Sequence, residues 1–271
     1  MNPAAPRTIV EACLPNGRQP GRDEVGLDVV FDVAAAAGVG EQPVRLAIRR
    51  MIAAGEIVQS GRGRGGTLRL TGEGLQRLDR DRIALRLAAL QDAGEAPWDG
   101  RWQLIAISTP ESERAIRDQL RRRLLESGAA AVSTGLYVSP HDLTDLLPTG
   151  GREHLVLAAA DRLTVRGQQQ PQVIAEMLWP ATPLLRGYTE LDALTGTVRK
   201  RVRGAGTDAA RGLMITLAVA LEQAIRPDPL IPAELRRGTW RPSRSRAAWR
   251  AAWNALQRQA PDAGLYPGWT L

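Results

Sequence analysis

The segment of residues 41–69, EQPVRLAIRRMIAAGEIVQSGRGRGGTLR, constrains the fold of this chain more than any other part of the sequence. Its first half places apolar residues at the i, i+3, i+4 spacing of an amphipathic helix, and Gly55 ends that helix. Two short β segments follow, on either side of a glycine-arginine loop at residues 61–66 whose glycines permit positive φ. Because residues 27–39 predict an earlier helix that ends at Gly38, the order is helix, turn, helix and hairpin. This order predicts a winged helix-turn-helix.

The charge of this segment indicates what it binds. The segment contains six arginines and two glutamates, in a chain whose formal net charge is +7. A cationic helix beside a cationic loop is typical of a surface that meets double-stranded DNA. The predicted DNA-binding residues lie on the second helix and in the loop: Gln42, Arg45, Arg49, Arg50, Arg62 and Arg64. The alternative is a winged-helix fold that binds proteins and leaves its arginines in solvent.

Cysteine and histidine are too scarce for several kinds of site. The single cysteine, Cys13, excludes an intramolecular disulfide, and the only histidines, His141 and His154, are too few to complete an all-protein zinc site with it. No apolar run of about 18 residues predicts a transmembrane helix, and the N-terminus lacks the basic and apolar regions of a signal peptide. We therefore expect a cytoplasmic protein without a membrane, metal or cofactor partner.

The middle of the chain shows a β-α-β-α-β pattern. Residues 73–95 predict a connecting helix, Trp102–Ile107 predicts a buried strand, and residues 111–128 predict a helix. A strand region, a short helix and a third strand follow at residues 130–140, 141–147 and 153–163. The pattern predicts an α+β sandwich with a small sheet. His141 is expected in the cap region of the short helix.

The remaining residues predict helices and no catalytic site. Four helices are predicted, at residues 170–179, 185–203, 207–225 and 245–260. No nucleophile elbow, phosphate-binding loop or dinucleotide fingerprint occurs, so no catalytic residue is predicted. The predicted domains are 1–80 for the winged helix-turn-helix, 81–97 for the connecting helix and linker, 98–170 for the middle domain and 171–271 for the C-terminal domain.

Three segments resemble the motifs of PaaX-type transcriptional repressors, a family named for control of phenylacetate catabolism: PWDGRWQLIAIS, LYVSPHDL and RPDPLIPAEL. The resemblance implies an α+β multidomain chain with an N-terminal winged helix-turn-helix, a ferredoxin-like middle domain and an α-helical C-terminal domain. It also implies a homodimer that binds operator DNA and is released by a small-molecule effector such as an acyl-CoA thioester. The middle domain also resembles the CRISPR adaptation nuclease fold. Ser108 stands where that fold has a metal-binding aspartate, which argues against a metal-dependent nuclease.

An effector site between the middle and C-terminal domains is expected because most of the chain lies outside the DNA-binding domain. Its candidate aromatic walls are Trp102, Tyr137, Trp179 and Tyr188, and its candidate phosphate ligands are Arg199, Lys200 and Arg201. The alternative is that the aromatic residues form cores and the cations are solvated at a helix end. Two rival functions remain open. One is an enzyme with the same architecture that acts on a small metabolite, and the other is a winged-helix scaffold without a DNA target.

Overall fold

The computed structural model describes residues 4–16, 23–147, 150–202, 206–238 and 240–269 of the chain, which is a mixture of α-helices and antiparallel sheets. The helices are α1 (Pro6–Cys13), α2 (Leu27–Ala36), α3 (Glu41–Ala53), α4 (Gly72–Asp81), α5 (Ile83–Ala93), α6 (Arg114–Glu126), α7 (Pro171–Leu178), α8 (Ala181–Arg201), α9 (Thr207–Ile225) and α10 (Arg241–Gln259). The strands are β1 (Glu24–Gly26), β2 (Ile57–Ser60), β3 (Thr67–Leu70), β4 (Trp102–Ile107), β5 (Ala130–Ser133), β6 (Leu136–Ser139) and β7 (Leu155–Ala160). Within the described residues, no helix combines the length and apolar character needed to cross a membrane.

The chain divides into two compact units that do not follow its linear order. Unit 1 combines Met1–Arg86 with Tyr188–Ala224 and Ser243–Leu271, and unit 2 combines Leu87–Gly187 with Ile225–Pro242. The residues predicted to form one C-terminal domain are therefore shared between the two units.

The N-terminal part of unit 1 contains α1, α2, α3 and a three-stranded antiparallel sheet of order β1-β3-β2. Of the apolar residues at the predicted spacing, Val44, Ile48 and Met51 are buried on one face of α3, whereas Ile52 is 38% exposed. The sheet is the predicted hairpin with β1 added as a third strand. Sequence patterns did not identify β1, because three residues are too few to show a period.

The connecting helix is two helices instead of the single one predicted. Arg82 separates α4 from α5, and its φ of -103° and ψ of 4° lie outside the α-helical region. Its side chain is buried, with the guanidinium over the rings of Tyr266 and Trp269 at 4.9 and 4.2 Å. The break therefore coincides with the residue whose side chain enters the core.

Helix α9 and the C-terminal segment, which is the described chain after α10 (residues 260–269), pack against the N-terminal part of unit 1. The amide of Tyr266 donates to the carbonyl of Ala12 at 2.6 Å, and the indole Nε1 of Trp269 donates to the carbonyl of Leu14 at 2.9 Å. On α9, a Cβ atom at Gly212 would overlap the carbonyl oxygen of Ala36, the last residue of α2. The C-terminal segment therefore belongs to the same packing unit as the predicted DNA-binding elements.

Unit 2 contains a four-stranded antiparallel sheet of order β5-β6-β4-β7. The region predicted as one strand at residues 130–140 is a hairpin of β5 and β6, which turns at Gly135 with a φ of 79°. The short helix predicted at residues 141–147 is only a 3-10 turn, Thr144–Leu146. A segment of seven residues forms few intrahelical hydrogen bonds, so an α-helix there is only marginally stable. The Asp142 carboxylate also accepts a hydrogen bond from the amide of Thr144, and this local turn competes with a helix. The elements β4, α6 and β7 follow in the predicted order.

Candidate functional site

Helix α3 presents a polar and cationic outer face. Gln42, Arg49 and Arg50 are exposed, and Arg45 is half-buried. The burial of the apolar stripe leaves these positions facing outward, because residues on one helical face repeat at intervals of three and four. All four residues predicted on this helix therefore reach the surface of unit 1.

The loop between β2 and β3 carries the other two predicted residues. Arg62 and Arg64 are exposed, and residues Gly63–Gly65 form a 3-10 turn. Gly61 and Gly63 have φ of 74° and 63°, a conformation that favours glycine. A Cβ atom at Gly66 would lie 2.9 Å from the carbonyl oxygen of Ser60. The glycines therefore shape the loop that displays the arginines.

A carboxylate that the sequence reasoning did not select joins this loop to α3. Glu41 accepts from Arg45 at 3.0 Å and from Arg64 at 2.5 Å, and Arg64 also pairs with Asp32 at 3.5 Å. Hydrogen bonds from Arg64 and Arg45 lower the pKa of Glu41 below its ordinary value. The i, i+4 spacing of Glu41 and Arg45 is a signal from which that pair could have been found, whereas the contact with Arg64 depends on the fold.

Phe31 supports the same contacts from α2. The guanidinium carbon of Arg45 lies 4.6 Å from the centroid of the Phe31 ring, and that of Arg64 lies 5.9 Å from it. A cation over an aromatic face is attracted by the ring quadrupole. The loop and the helix are thus held together as one surface, which we call the α3–loop surface: Gln42, Arg45, Arg49, Arg50, Arg62 and Arg64, with Glu41 between them.

The arginines of this surface fall into two groups. Arg45 and Arg64 are engaged with acidic side chains. Arg49, Arg50 and Arg62 form no ion pair or hydrogen bond with any residue that the structure describes. The second group is available to an external anion without first breaking an internal ion pair.

The aromatic residues predicted for an effector site in unit 2 lie in its core. Trp102 stacks on Trp179 with ring centroids 6.3 Å apart, and Trp98 meets Trp102 edge-on at 5.2 Å. The indole Nε1 of Trp179 donates to the carbonyl of Gly128 at 2.9 Å. Tyr137 is buried in a separate cluster, on the opposite face of the sheet from Trp102. The structure therefore does not bring Trp102 and Tyr137 to one pocket.

The other predicted effector residues belong to unit 1. Tyr188 is buried, and its hydroxyl accepts from Arg246 at 3.0 Å. The last turn of α8 carries three exposed cations, Arg199, Lys200 and Arg201. Cations at this position interact favourably with the negative end of the helix dipole.

Two of the family motifs meet at His141. Its Nε2 lies 2.7 Å from the carbonyl oxygen of Leu230, which also accepts from Gln91 at 2.6 Å. Leu230 has a φ of 50°, and its amide donates to the buried carboxylate of Asp228 at 2.8 Å. The imidazole thus links two distant segments instead of only capping the short helix predicted after it.

This arrangement predicts an acid sensitivity. Burial lowers the pKa of His141 below 6.5, although the hydrogen bond to Leu230 opposes that effect. Because the folded state then binds fewer protons than the unfolded state, this contribution to stability is present above pH 6.5 and is lost as the pH falls through the folded pKa. We expect the free energy of unfolding, measured by urea titration between pH 7.5 and 5, to fall less steeply in His141→Gln than in the wild type. Equal slopes for the two proteins would contradict this assignment.

The residues that the structure describes show no arrangement typical of a metal centre. Among the described residues, no group of three or more His, Cys, Asp or Glu side chains is arranged to hold a metal ion. Ser108 follows β4, and its amide donates to the carbonyl of His154 at 2.8 Å. Cys13 is buried, which raises the pKa of its thiol to about 12 and keeps it protonated near neutral pH.

Comparisons with known proteins agree with the motifs. The chain aligns in structure with the uncharacterized protein Rv0674 from Mycobacterium tuberculosis at a TM-score of 0.63 and 22% sequence identity, over 97% of this chain and 99% of that one. This likeness concerns the fold. A search of curated proteins finds no match. The family model of the PaaX protein central Cas2-like domain matches residues 95–172. The resemblance to PaaX-type proteins predicted from the motifs is therefore confirmed over residues 95–172, which match the central Cas2-like domain of that family.

Proposed function

We propose that this protein is a transcriptional repressor that binds operator DNA through a winged helix-turn-helix in unit 1. The observation that carries the proposal is the α3–loop surface, in which an exposed cationic helix and an exposed cationic loop are joined through Glu41. The PaaX central domain in the same chain supports a regulatory role.

In this proposal α3 enters the major groove. The N-terminal part of a recognition helix approaches base edges, so Gln42 and Arg45 are suited to base contacts, and Arg49 follows one turn later on the same face. Arg62 and Arg64 in the loop are suited to phosphates or to the minor groove.

Glu41 then competes with the DNA phosphates for Arg45 and Arg64. Arg45 and Arg64 must leave the carboxylate before they can bind an anion, whereas Arg49, Arg50 and Arg62 need no such exchange. A phosphate that displaces the carboxylate leaves Glu41 beside the negative DNA backbone. Arg45 and Arg64 are therefore expected to contribute less to DNA affinity than arginines without an internal ion pair.

The direct test is DNA affinity. Arg49→Ala is expected to weaken specific binding by about 1–3 kcal/mol and to relax specificity at the base it contacts. The double variant Arg62→Ala and Arg64→Ala is expected to weaken binding to all sequences and to flatten the dependence of affinity on salt. Affinity is measured by fluorescence anisotropy on DNA from the protein's own promoter region over a series of salt concentrations.

Arg258→Ala provides the matched control. Arg258 is also an exposed arginine of unit 1, but it lies near the end of α10. Arg258→Ala changes the net charge by the same amount as Arg49→Ala. A difference in DNA affinity between the two variants therefore reflects the position of the arginine and not the net charge. Equal affinities for the wild type, Arg49→Ala and the double variant would refute the proposal.

The proposal extends to a homodimer and to release by a small molecule. A single winged helix reads a short site, so specific binding requires two copies on an inverted repeat. An inducer must bind free protein more tightly than DNA-bound protein, and the coupling is reciprocal. Calorimetric titration of acyl-CoA thioesters with and without operator DNA tests this. Equal affinity in both states excludes the thioester as inducer, and turnover of a metabolite would favour the enzyme interpretation.

A further inference from the structure

Strand β7 is an exposed apolar edge of the unit 2 sheet. All six of its residues, LVLAAA, are apolar, and Val156 and Leu157 are 61% and 49% exposed. These two side chains lie on opposite faces of the sheet, because neighbouring residues of a strand alternate. The edge is therefore apolar on both of its faces.

The backbone of β7 is open along one side. The amide of Ser108 donates to the carbonyl of His154, and the register pairs Ala106 with Val156. Since backbone groups alternate along an antiparallel strand, Val156, Ala158 and Ala160 direct theirs to β4. Leu157 and Ala159 therefore direct their N–H and C=O groups away from the sheet, as Leu155 does its C=O group, whereas the N–H of Leu155 donates to the carbonyl of Arg152 in the preceding 3-10 turn.

This edge lacks the features by which proteins protect a free strand. Such features include proline, inward-pointing charge and a β-bulge, and β7 contains no proline or charged residue and pairs with β4 without interruption. At the other edge of the same sheet, the pairing of β5 shifts between Ala131 and Ser133. Of the two edge strands of this sheet, β7 is therefore the one with a regular backbone that can pair with a further strand.

We propose that β7 pairs in antiparallel fashion with β7 of a second copy of this chain, so that the two sheets of unit 2 become continuous. The segment Leu155–Ala159 is centred on Leu157, and a two-fold axis there places Leu157 opposite Leu157 of the second copy. Leu155 then faces Ala159, and Val156 faces Ala158 on the other side of the sheet. A large side chain meets a small one at these two flanking pairs, and leucine meets leucine at the axis, which favours close apolar packing across the pair.

Charge limits the length of this pairing. The same register places Glu153 opposite Asp161 and Arg152 opposite Arg162 of the second copy, and like charges directly opposite are destabilising, so the pairing is confined to the uncharged residues 155–159. A second copy of the chain also satisfies the open groups symmetrically, because the two Leu157 residues exchange both of their hydrogen bonds and the amide of each Ala159 donates to the carbonyl of the opposite Leu155. The inference deepens the homodimer of the proposed function by assigning its interface.

A cysteine at the two-fold axis tests the register. Cys13 is the only cysteine and is buried, so Leu157→Cys introduces a single accessible thiol. Opposite residues of a hydrogen-bonded antiparallel pair have Cα atoms about 5.5 Å apart, within the range of a disulfide. We expect mild oxidation to give a covalent dimer of Leu157→Cys. The control, Leu125→Cys on the 44% exposed Leu125 of α6, is expected to stay uncoupled.

A charge at the same position tests the interface. Leu157→Lys is expected to convert the dimer to a monomer in light scattering, whereas Leu125→Lys is expected to leave the dimer intact. Circular dichroism confirms that both variants are folded. A monomeric wild type, or a dimer that persists in Leu157→Lys while Leu157→Cys fails to couple, would overturn the inference.

Failure of this inference is distinguishable from failure of the proposed function. If the wild type binds operator DNA while Leu157→Lys remains a dimer and Leu157→Cys fails to couple, the interface is wrong and the function stands. If Leu157→Cys couples but no DNA is bound, the interface is right and the function is wrong. Leu157→Lys is also expected to retain binding to a single half-site, because the α3–loop surface is unchanged.

Discussion

Trp102→Ala is expected to lower the free energy of unfolding by about 3–5 kcal/mol, the usual cost of removing a buried tryptophan. Trp102 is 1% exposed, stacks on Trp179 and meets Trp98 edge-on. Truncation removes apolar area and leaves a cavity that the sheet and α7 can fill only in part. The measurement is a urea titration followed by circular dichroism.

Trp98→Ala serves as the control for this change. Trp98 is only partly buried, and its indole Nε1 donates to the carbonyl of Arg101 at 2.9 Å. We expect a smaller loss of stability because less of the side chain is removed from water on folding. A Trp102→Ala protein with wild-type stability and a lost effector response would show that Trp102 lines a ligand site and is not a core residue.

Gly212→Ala is expected to destabilise unit 1 by about 3 kcal/mol, the upper end of the usual cost of overpacking. The added Cβ atom would overlap the carbonyl oxygen of Ala36, and a backbone atom cannot move aside as a flexible side chain can. Helix α9 must therefore shift away from the end of α2. Because the turn after α2 orients α3, the same variant is expected to bind DNA less tightly, a readout that depends on the proposed function.

Gly196→Ala provides the matched control on α8. No atom lies within 4 Å of the Cβ position that this substitution creates. Alanine is the better helix former by about 1 kcal/mol, so Gly196→Ala is expected to be neutral or stabilising. Thermal unfolding of both variants measures the difference. A Gly212→Ala protein as stable as Gly196→Ala would show that the contact with Ala36 is not close.

Local patterns predicted the elements of the α3–loop surface well. The apolar stripe of α3 could be predicted from the spacing of residues along one helix. The glycine-rich loop could be predicted because a turn depends on residues that are adjacent in the sequence. The strand Trp102–Ile107 was predicted for the same reason. The motif resemblance to PaaX-type proteins was also available before any packing was known.

Contacts between distant residues were not predictable in this way. Arg64 and Glu41 are separated by 23 residues, and their ion pair exists only because the hairpin returns to α3. Trp102 and Tyr137 were grouped by chemistry, yet the register of β4 and β6 places them on opposite faces of a sheet. The break between α4 and α5 falls at Arg82, whose guanidinium lies over Tyr266 and Trp269, 184 and 187 residues further along the chain.

The sequence by itself determined most of the helices, the loop and the strands β2, β3, β4 and β7, because each depends on spacing and turn chemistry within a short segment. Tertiary structure alone decided that α9 and the C-terminal segment pack with the N-terminal elements, and that β7 lies at an open edge. The physical reason is that an apolar stripe specifies burial without specifying a partner. Many elements in one chain can cover the same stripe, and only the fold with the best mutual packing and satisfied hydrogen bonds selects among them.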